Sequence, residues 1–145
     1  MILPDVNVLV YAFRREAPAH EAYAAWLTSV LRGPEELALH DSTVTGLVRI
    51  VTNPRIVRVP APAADVVAFV DRLARAPRSR WLSGGREGWT GLSRLLRDDR
   101  GVVGNLVPDA FLASLAVAHG CRLATADRGF ARFPGLTWFD PAKPA

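Results

Sequence analysis

The sequence predicts an α/β fold, a three-layer sandwich with a mostly parallel central sheet flanked by helices. Three observations predict it. Short apolar runs of strand type recur along the chain, at Ile2 to Asp5, Leu37 to His40, Arg80 to Leu82, Cys121 to Ala124 and Leu136 to Phe139. Longer segments with helical apolar spacing separate them. Glycine and proline mark the joints. Strands that alternate with helices pair in parallel, because each crossover needs a helix to bring the chain back.

In chain order, Ile2 to Asp5 reads as a short strand. Pro4 argues against a long central strand there, because it lacks the N–H that a ladder needs. Val6 to Phe13 reads as a helix with Asp5 or Asn7 near its start. Ala19 to Leu31 is a second helix, buried through Ala22, Tyr23, Trp26, Leu27 and Val30 and stopped by Gly33-Pro34. After the strand at Leu37, Ser42 or Thr43 is the expected cap of a helix reaching Thr52, with Val44, Leu47, Val48 and Val51 on one face. Asn53-Pro54 ends it.

Pro60-Ala61-Pro62 is a rigid spacer before a helix from Ala63 to Ala76, whose buried stripe is expected at Val66, Val67, Phe69, Val70 and Leu73. Ser83 to Gly88 reads as a loop and Trp89 to Arg97 as a short helix. Gly101 to Gly104 reads as a flexible joint. Pro108 suits the first position of a helix that runs to His119, where Gly120 stops it. That helix is apolar almost all round, so burial is expected.

The chain has 145 residues, enough for one domain over 1–145 with a real core. Half of the residues are hydrophobic, which argues against disorder. The formal charge is +4, and Lys143 is the only lysine, so the positive charge is almost all arginine. Arginine grips phosphate bidentately and stays charged at any working pH. Cys121 is the only cysteine, which excludes an intrachain disulfide and suits a reducing compartment. A buried structural thiol is expected. No secretory signal opens the chain and no apolar run reaches membrane length, so a cytoplasmic location without membrane contact is expected.

Four aspartates carry the chemistry. Asp5, Asp41 and Asp127 each follow a strand-like run, and Asp109 opens a helix. In an open α/β sheet, strand ends and the first turns of helices converge on one rim. Each aspartate singly has a plain explanation as a cap or a turn residue. Together they suit a hard cation with oxygen ligands, Mg²⁺ or Mn²⁺. Zinc is disfavoured, because His20, His40 and His119 are scattered and no HExxH or CxxC spacing occurs. His20 is expected at a helix start and His119 at a helix end. His40 is noted as a rim residue beside Asp41. No GxxxxGK[ST], GxGxxG or GxSxG motif is present.

The segments Leu3-Pro4-Asp5-Val6-Asn7-Val8-Leu9, Arg49-Ile50-Val51-Thr52-Asn53-Pro54-Arg55, Val107-Pro108-Asp109-Ala110 and Ala124-Thr125-Ala126-Asp127-Arg128-Gly129-Phe130 resemble the PIN-domain ribonucleases. They resemble most the VapC toxins of bacterial toxin–antitoxin pairs, from residue 2 to about residue 140. The resemblance implies a PIN-like sandwich and an endoribonuclease that depends on Mg²⁺ or Mn²⁺. It implies metal ligation by Asp5 and Asp109, with Asp127 as a supporting acid. A glutamate is usual on the helix after the second strand, and Gly46 stands in its place. Asp41 is the candidate substitute. The resemblance also implies an RNA substrate, a VapB-type antitoxin and a homodimer.

The arginines at 72, 75, 78, 80, 86, 94, 97 and 100 outnumber the nearby acids and form a candidate RNA-facing or partner-facing stretch. Trp81 and Trp89 are expected in the core, with stacking on unpaired bases as the alternative. Two other readings stand beside the ribonuclease. One is a PIN-like RNA- or partner-binding module with weak or no catalysis. The other is a metal-dependent phosphatase or DNA nuclease.

Overall fold

The computed structural model describes residues 1–143. Five strands, β1 (Ile2–Pro4), β2 (Leu37–Leu39), β3 (Ser79–Trp81), β4 (Arg122–Ala124) and β5 (Trp138–Phe139), form one sheet in the order β3-β2-β1-β4-β5. All neighbouring strands pair in parallel. The helices are α1 (Val6–Phe13), α2 (His20–Arg32), α3 (Asp41–Val51), α4 (Ala63–Arg75), α5 (Gly85–Asp98) and α6 (Leu106–Ala118), with a 3₁₀ turn at Arg128–Arg132 before β5.

Strand order explains the layers. The chain steps outward from β1 to β2 to β3, then returns past β1 to β4 and β5. With crossovers of one hand, that reversal puts the early helices on one face and the late ones on the other. Buried side chains divide accordingly. Ile2, Leu37 and Leu39 pack with residues of α1, α2, α3 and α4. Leu3, Ala38 and Leu123 point the opposite way and pack with α5, α6 and the 3₁₀ turn.

Pro4 ends the central strand. Ile2 N–H donates to Glu36 O on the β2 side, and Pro4, two residues on, faces the same way without a donor. Thus β1 matches β4 at Ile2, Leu3 and Pro4 but matches β2 only at Ile2. A proline stands in the central strand after all, because it is the last residue and its missing bond costs only one edge of the ladder.

Several expectations are corrected. The cap of α3 is neither Ser42 nor Thr43. His40 takes that role, and its imidazole accepts from Ser42 N–H. Of the glycines read as a loop, Gly85 and Gly88 belong to α5, which begins at Gly85 with φ of 42°, and Gly84 precedes it. Gly88 and Gly91 let α5 approach α6 closely: an added Cβ would stand 3.3 Å from Phe111 Cε2 or 2.9 Å from Ser114 Cβ. Pro108 is the third residue of α6 rather than the first, still within the turn whose N–H groups lack helical partners. Val67 is exposed, so the buried stripe of α4 is Val66, Phe69, Val70 and Leu73. Trp81 and Trp89 are 49% and 62% exposed and are not core residues.

The arginine stretch does not form one surface. Arg72 and Arg75 lie on α4, while Arg86, Arg94 and Arg97 lie on α5 across the sheet. As expected, α6 is buried through Ala110, Leu112, Ala113, Ser114, Leu115 and Ala116, and Cys121 is a buried free thiol. Among the described residues, no helix is long and apolar enough to cross a membrane.

Candidate active site

The strand order reverses between β1 and β4, which is where open α/β sheets form a crevice beyond their strand ends. Asp5 follows β1 and caps α1. Thr125, Ala126 and Asp127 follow β4. The Asp5 carboxylate is 8% exposed and is held at both oxygens. Its Oδ1 accepts from Val6 N–H at 2.6 Å. Its Oδ2 accepts from Asn7 Nδ2 at 2.7 Å and from the Thr125 hydroxyl at 2.8 Å.

Thr125 and Asn7 stitch the two strand ends together. Thr125 Oγ1 also accepts from Asp127 N–H at 3.0 Å, and Asn7 Oδ1 accepts from Ala126 N–H at 3.2 Å. Asp127 Oδ1 accepts from Gly129 N–H at 2.7 Å and so starts the 3₁₀ turn. Thr125 is fully buried. Neither residue stood out as part of the site in the sequence. The signal was there in the D-x-N spacing and in a polar residue between two alanines at a strand end.

Asp109 completes the group from the first turn of α6. Its carboxyl is pushed up to about 6, first by burial and then by the charges of Asp5 and Asp127. Burial also raises the Asp5 carboxyl, opposed by its Thr125 and Val6 bonds and reinforced by the Asp127 charge. Asp5 and Asp109, penalised by burial and by neighbouring negative charge, store unfavourable electrostatic energy that a cation relieves.

The donor set fits a hard divalent ion. Mg²⁺ is held by one or two carboxylates and keeps waters or substrate phosphate in its remaining positions. Asp5 retains lone pairs beyond its three donors. No donor offsets the Asp109 shift, so its oxygens stay free for a ligand. Among the described residues, no group of three or more His, Cys, Asp or Glu side chains is placed to hold a metal ion by itself. The arrangement therefore suits an open site that substrate completes, not a structural zinc.

Asp41 is placed differently. It opens α3 at the end of β2, and its Oδ1 accepts from Trp81 Nε1 at 2.6 Å. The charges acting on Asp109 are those of Asp5 and Asp127, and Asp41 is not among them. Gly46 sits on α3 against α1, where an added Cβ would stand 2.9 Å from Val6 Cγ2. Position 46 thus abuts the residue next to Asp5, and any side chain there would press on Val6. His20 opens α2 and His119 follows α6, both away from the trio.

A model of the PIN domain matches residues 2–136. The ribonuclease VapC43 of Mycobacterium tuberculosis is 39% identical over 97% of this chain and 95% of its own length. The ribonuclease VapC25 of the same organism is 35% identical over 97% of this chain and 99% of its own. The chain belongs to the PIN-domain family, among the VapC ribonucleases.

Solved structures carry the same fold at lower identity. The VapBC2 complex of Rickettsia felis, bound to a promoter DNA fragment, aligns with a TM-score of 0.72 at 19% identity, over 97% of this chain and 98% of that one. VapC20 of Mycobacterium tuberculosis, described as a toxin that cleaves the sarcin–ricin loop, aligns with a TM-score of 0.65 at 16% identity, over 94% and 99%. In this PIN domain Asp5, Thr125 and Asp127 stand at the strand ends on either side of the switch point of the sheet.

Proposed function

We propose that this VapC protein is a metal-dependent endoribonuclease, the toxin of a toxin–antitoxin pair. One observation carries the assignment: at the switch point between β1 and β4, the carboxyls of Asp5 and Asp109 are raised by burial and by neighbouring negative charge, with Asp127 acting on both. The names of its relatives support RNA as the substrate.

When bound, Mg²⁺ or Mn²⁺ supplies Lewis acidity toward the scissile phosphodiester and toward water. Asp5 and Asp109 would hold the ion. Asn7 and Thr125 fix the rotamer of Asp5, so its free lone pairs keep one direction through the reaction. Asp127, anchored through Oδ1 on Gly129 N–H, orients the attacking water with its other oxygen and receives its proton. The oxygen of that water bonds to phosphorus, and the P–O bond to the leaving ribose oxygen breaks. Asp41 acts outside this group, as the residue that orients Trp81.

An acidic crevice repels RNA, so arginine must hold the backbone. Arg14, Arg75, Arg80, Arg122 and Arg132 are engaged with carboxylates. On α5, Arg86, Arg94 and Arg97 are exposed and serve as the phosphate-gripping side chains. The protein acts in the cytoplasm with a VapB-type antitoxin and as a homodimer, a reading supported by solved relatives that are VapBC assemblies.

The test is cleavage of RNA by purified protein during titration with Mg²⁺ or Mn²⁺. Cleavage should require the ion, stop with chelator, and fall at least about 100-fold in Asp5→Asn without loss of fold. Full cleavage by Asp5→Asn overturns the assignment. The lack, among the described residues, of three or more side chains placed to hold a metal favours one second reading, a PIN module that binds RNA and cuts it poorly. Binding without cleavage at saturating Mn²⁺ would establish that one.

A further inference from the structure

Beside the acidic trio, beyond the ends of β2 and β3, lies a cleft of about 490 Å³ that includes His40, Asp41, Trp81, Gly84, Trp89 and Phe111 in its lining. Its two indoles are 49% and 62% exposed, although tryptophan this open on a small domain forfeits a large burial energy. Each is held in place. Trp81 donates Nε1–H to Asp41 Oδ1 at 2.6 Å, which fixes the plane of its ring. Trp89 stands on α5, which is seated on α6 through Gly88 and Phe111.

The polar groups of the cleft have defined roles. His40 Nδ1 accepts from Ser42 N–H at 3.1 Å, so the neutral ring carries its proton on Nε2. Burial keeps the imidazole below its ordinary value, which favours that neutral form. An added Cβ at Gly84 would stand 3.4 Å from Nε2 and 3.0 Å from Phe111 Cζ. Any other residue there would cover the Nε2 edge, and glycine leaves it open. The cleft thus offers a donor at His40 Nε2, an acceptor at Asp41, and flat apolar faces on the two indoles.

The cleft and the trio are linked through α6. Asp109 and Phe111 are two residues apart on α6, and Phe111 lies against His40 with ring centroids 5.5 Å apart. Arg86, exposed on α5, follows the cleft residue Gly85 and supplies a positive charge beside it.

We propose that this cleft binds one unpaired nucleobase of single-stranded RNA, stacked on Trp89 and Trp81 with its polar edge on His40 Nε2 and Asp41, next to the phosphodiester held at the trio. Flat faces with a donor and an acceptor on a rigid rim match a base, which is planar and carries both. The neighbouring arginine matches the phosphate that accompanies it. The inference rests on the ribonuclease reading for its substrate class and goes beyond it in assigning a base subsite.

The experiment separates the two claims. Fluorescein-labelled oligouridylate and oligoadenylate are titrated with the full chain in EDTA, so binding is read by anisotropy without cleavage. Trp89→Ala should weaken binding about 5- to 100-fold, and Trp89→Phe should recover most of it. A chain of the same length with abasic positions should bind wild type and Trp89→Ala alike, a result that a merely structural role for Trp89 would not produce. Unchanged affinity in both Trp81→Ala and Trp89→Ala overturns the proposal. So does equal loss for abasic and base-bearing chains, failure of the wild type to bind either oligonucleotide, or a Trp89→Ala variant that loses a VapB-type antitoxin while holding RNA normally. Base-dependent binding by a wild type that cuts nothing in Mn²⁺ keeps the subsite and ends the nuclease reading. Cleavage with unaltered tryptophan variants does the reverse.

Discussion

Two aspartates that end neighbouring strands meet different fates. Asp5 ends β1, lies beside β4 at the switch point, and joins Asp127 and Asp109. Asp41 follows β2, one strand further out, and its carboxylate is taken by the indole of Trp81. Both sit at helix starts, both follow apolar strands, and both lie beyond the carboxyl ends of the strands. What separates them is place in the strand order. At the switch point, chain segments on either side diverge, leaving a crevice in which side chains from two strand ends converge. One strand away, Asp41 faces a separate cleft lined by Trp81 and, from α5, Trp89.

Charge substitution should widen that contrast most. Asp109→Asn should lower RNA cleavage in Mn²⁺ at least about 100-fold, whereas Asp41→Asn should lower it less than about tenfold, acting through Trp81. Parallel initial-rate measurements decide it. Equal losses would mean that Asp41 works within the trio and that the division between the two places is false.

Next in size is the clamp that the trio has and the cleft lacks. Thr125→Val removes the donor to Asp5 Oδ2 and the acceptor for Asp127 N–H. Metal affinity should fall about 10- to 100-fold, the usual cost of losing a partner that orients a ligand. Isothermal titration with Mn²⁺ would read it. Unaltered affinity would show that Asp5 needs no such orientation.

The smallest effect is on stability. The Asp109 carboxyl sits at about 6 in the folded chain against an ordinary 3.8, so folding favours its protonated form. Stability from this group is full below the ordinary value and is lost as pH rises through about 6. Asp5 acts in the same direction. Metal-free protein should therefore be about 1 kcal/mol more stable near pH 5 than near pH 7.5, after allowance for solvent screening. Asp109→Asn should flatten that dependence. Thermal melts in chelator across that range would show whether the strain resides in the trio.

Much of this was legible along the chain. The helix from Val6 to Phe13 matched its sequence bounds, because Asp5 is a capping residue and the apolar spacing is helical. The parallel sheet followed from strands alternating with helices. Three things were not legible. The segment from Ser83 to Gly88 read as a loop, because a glycine that permits close helix packing, as Gly88 does, looks the same as one that permits a turn. Trp81 and Trp89 read as core, because hydrophobicity alone does not say which face of an element is covered. The cap of α3 fell to His40, a residue outside the usual capping set, whose ring nitrogen reached Ser42 N–H.

The sequence by itself determined the order of the elements, their parallel pairing and the presence of carboxylates at strand ends and helix starts. Those features depend on local periodicity, caps and turn residues, which act over a few residues. Only the tertiary structure decided which carboxylates face one another. That depends on where the strand order reverses and on how the segments after β3 pack, and both arise from contacts between residues as far apart as Asp5 and Thr125, whose separation along the chain carries no local signal.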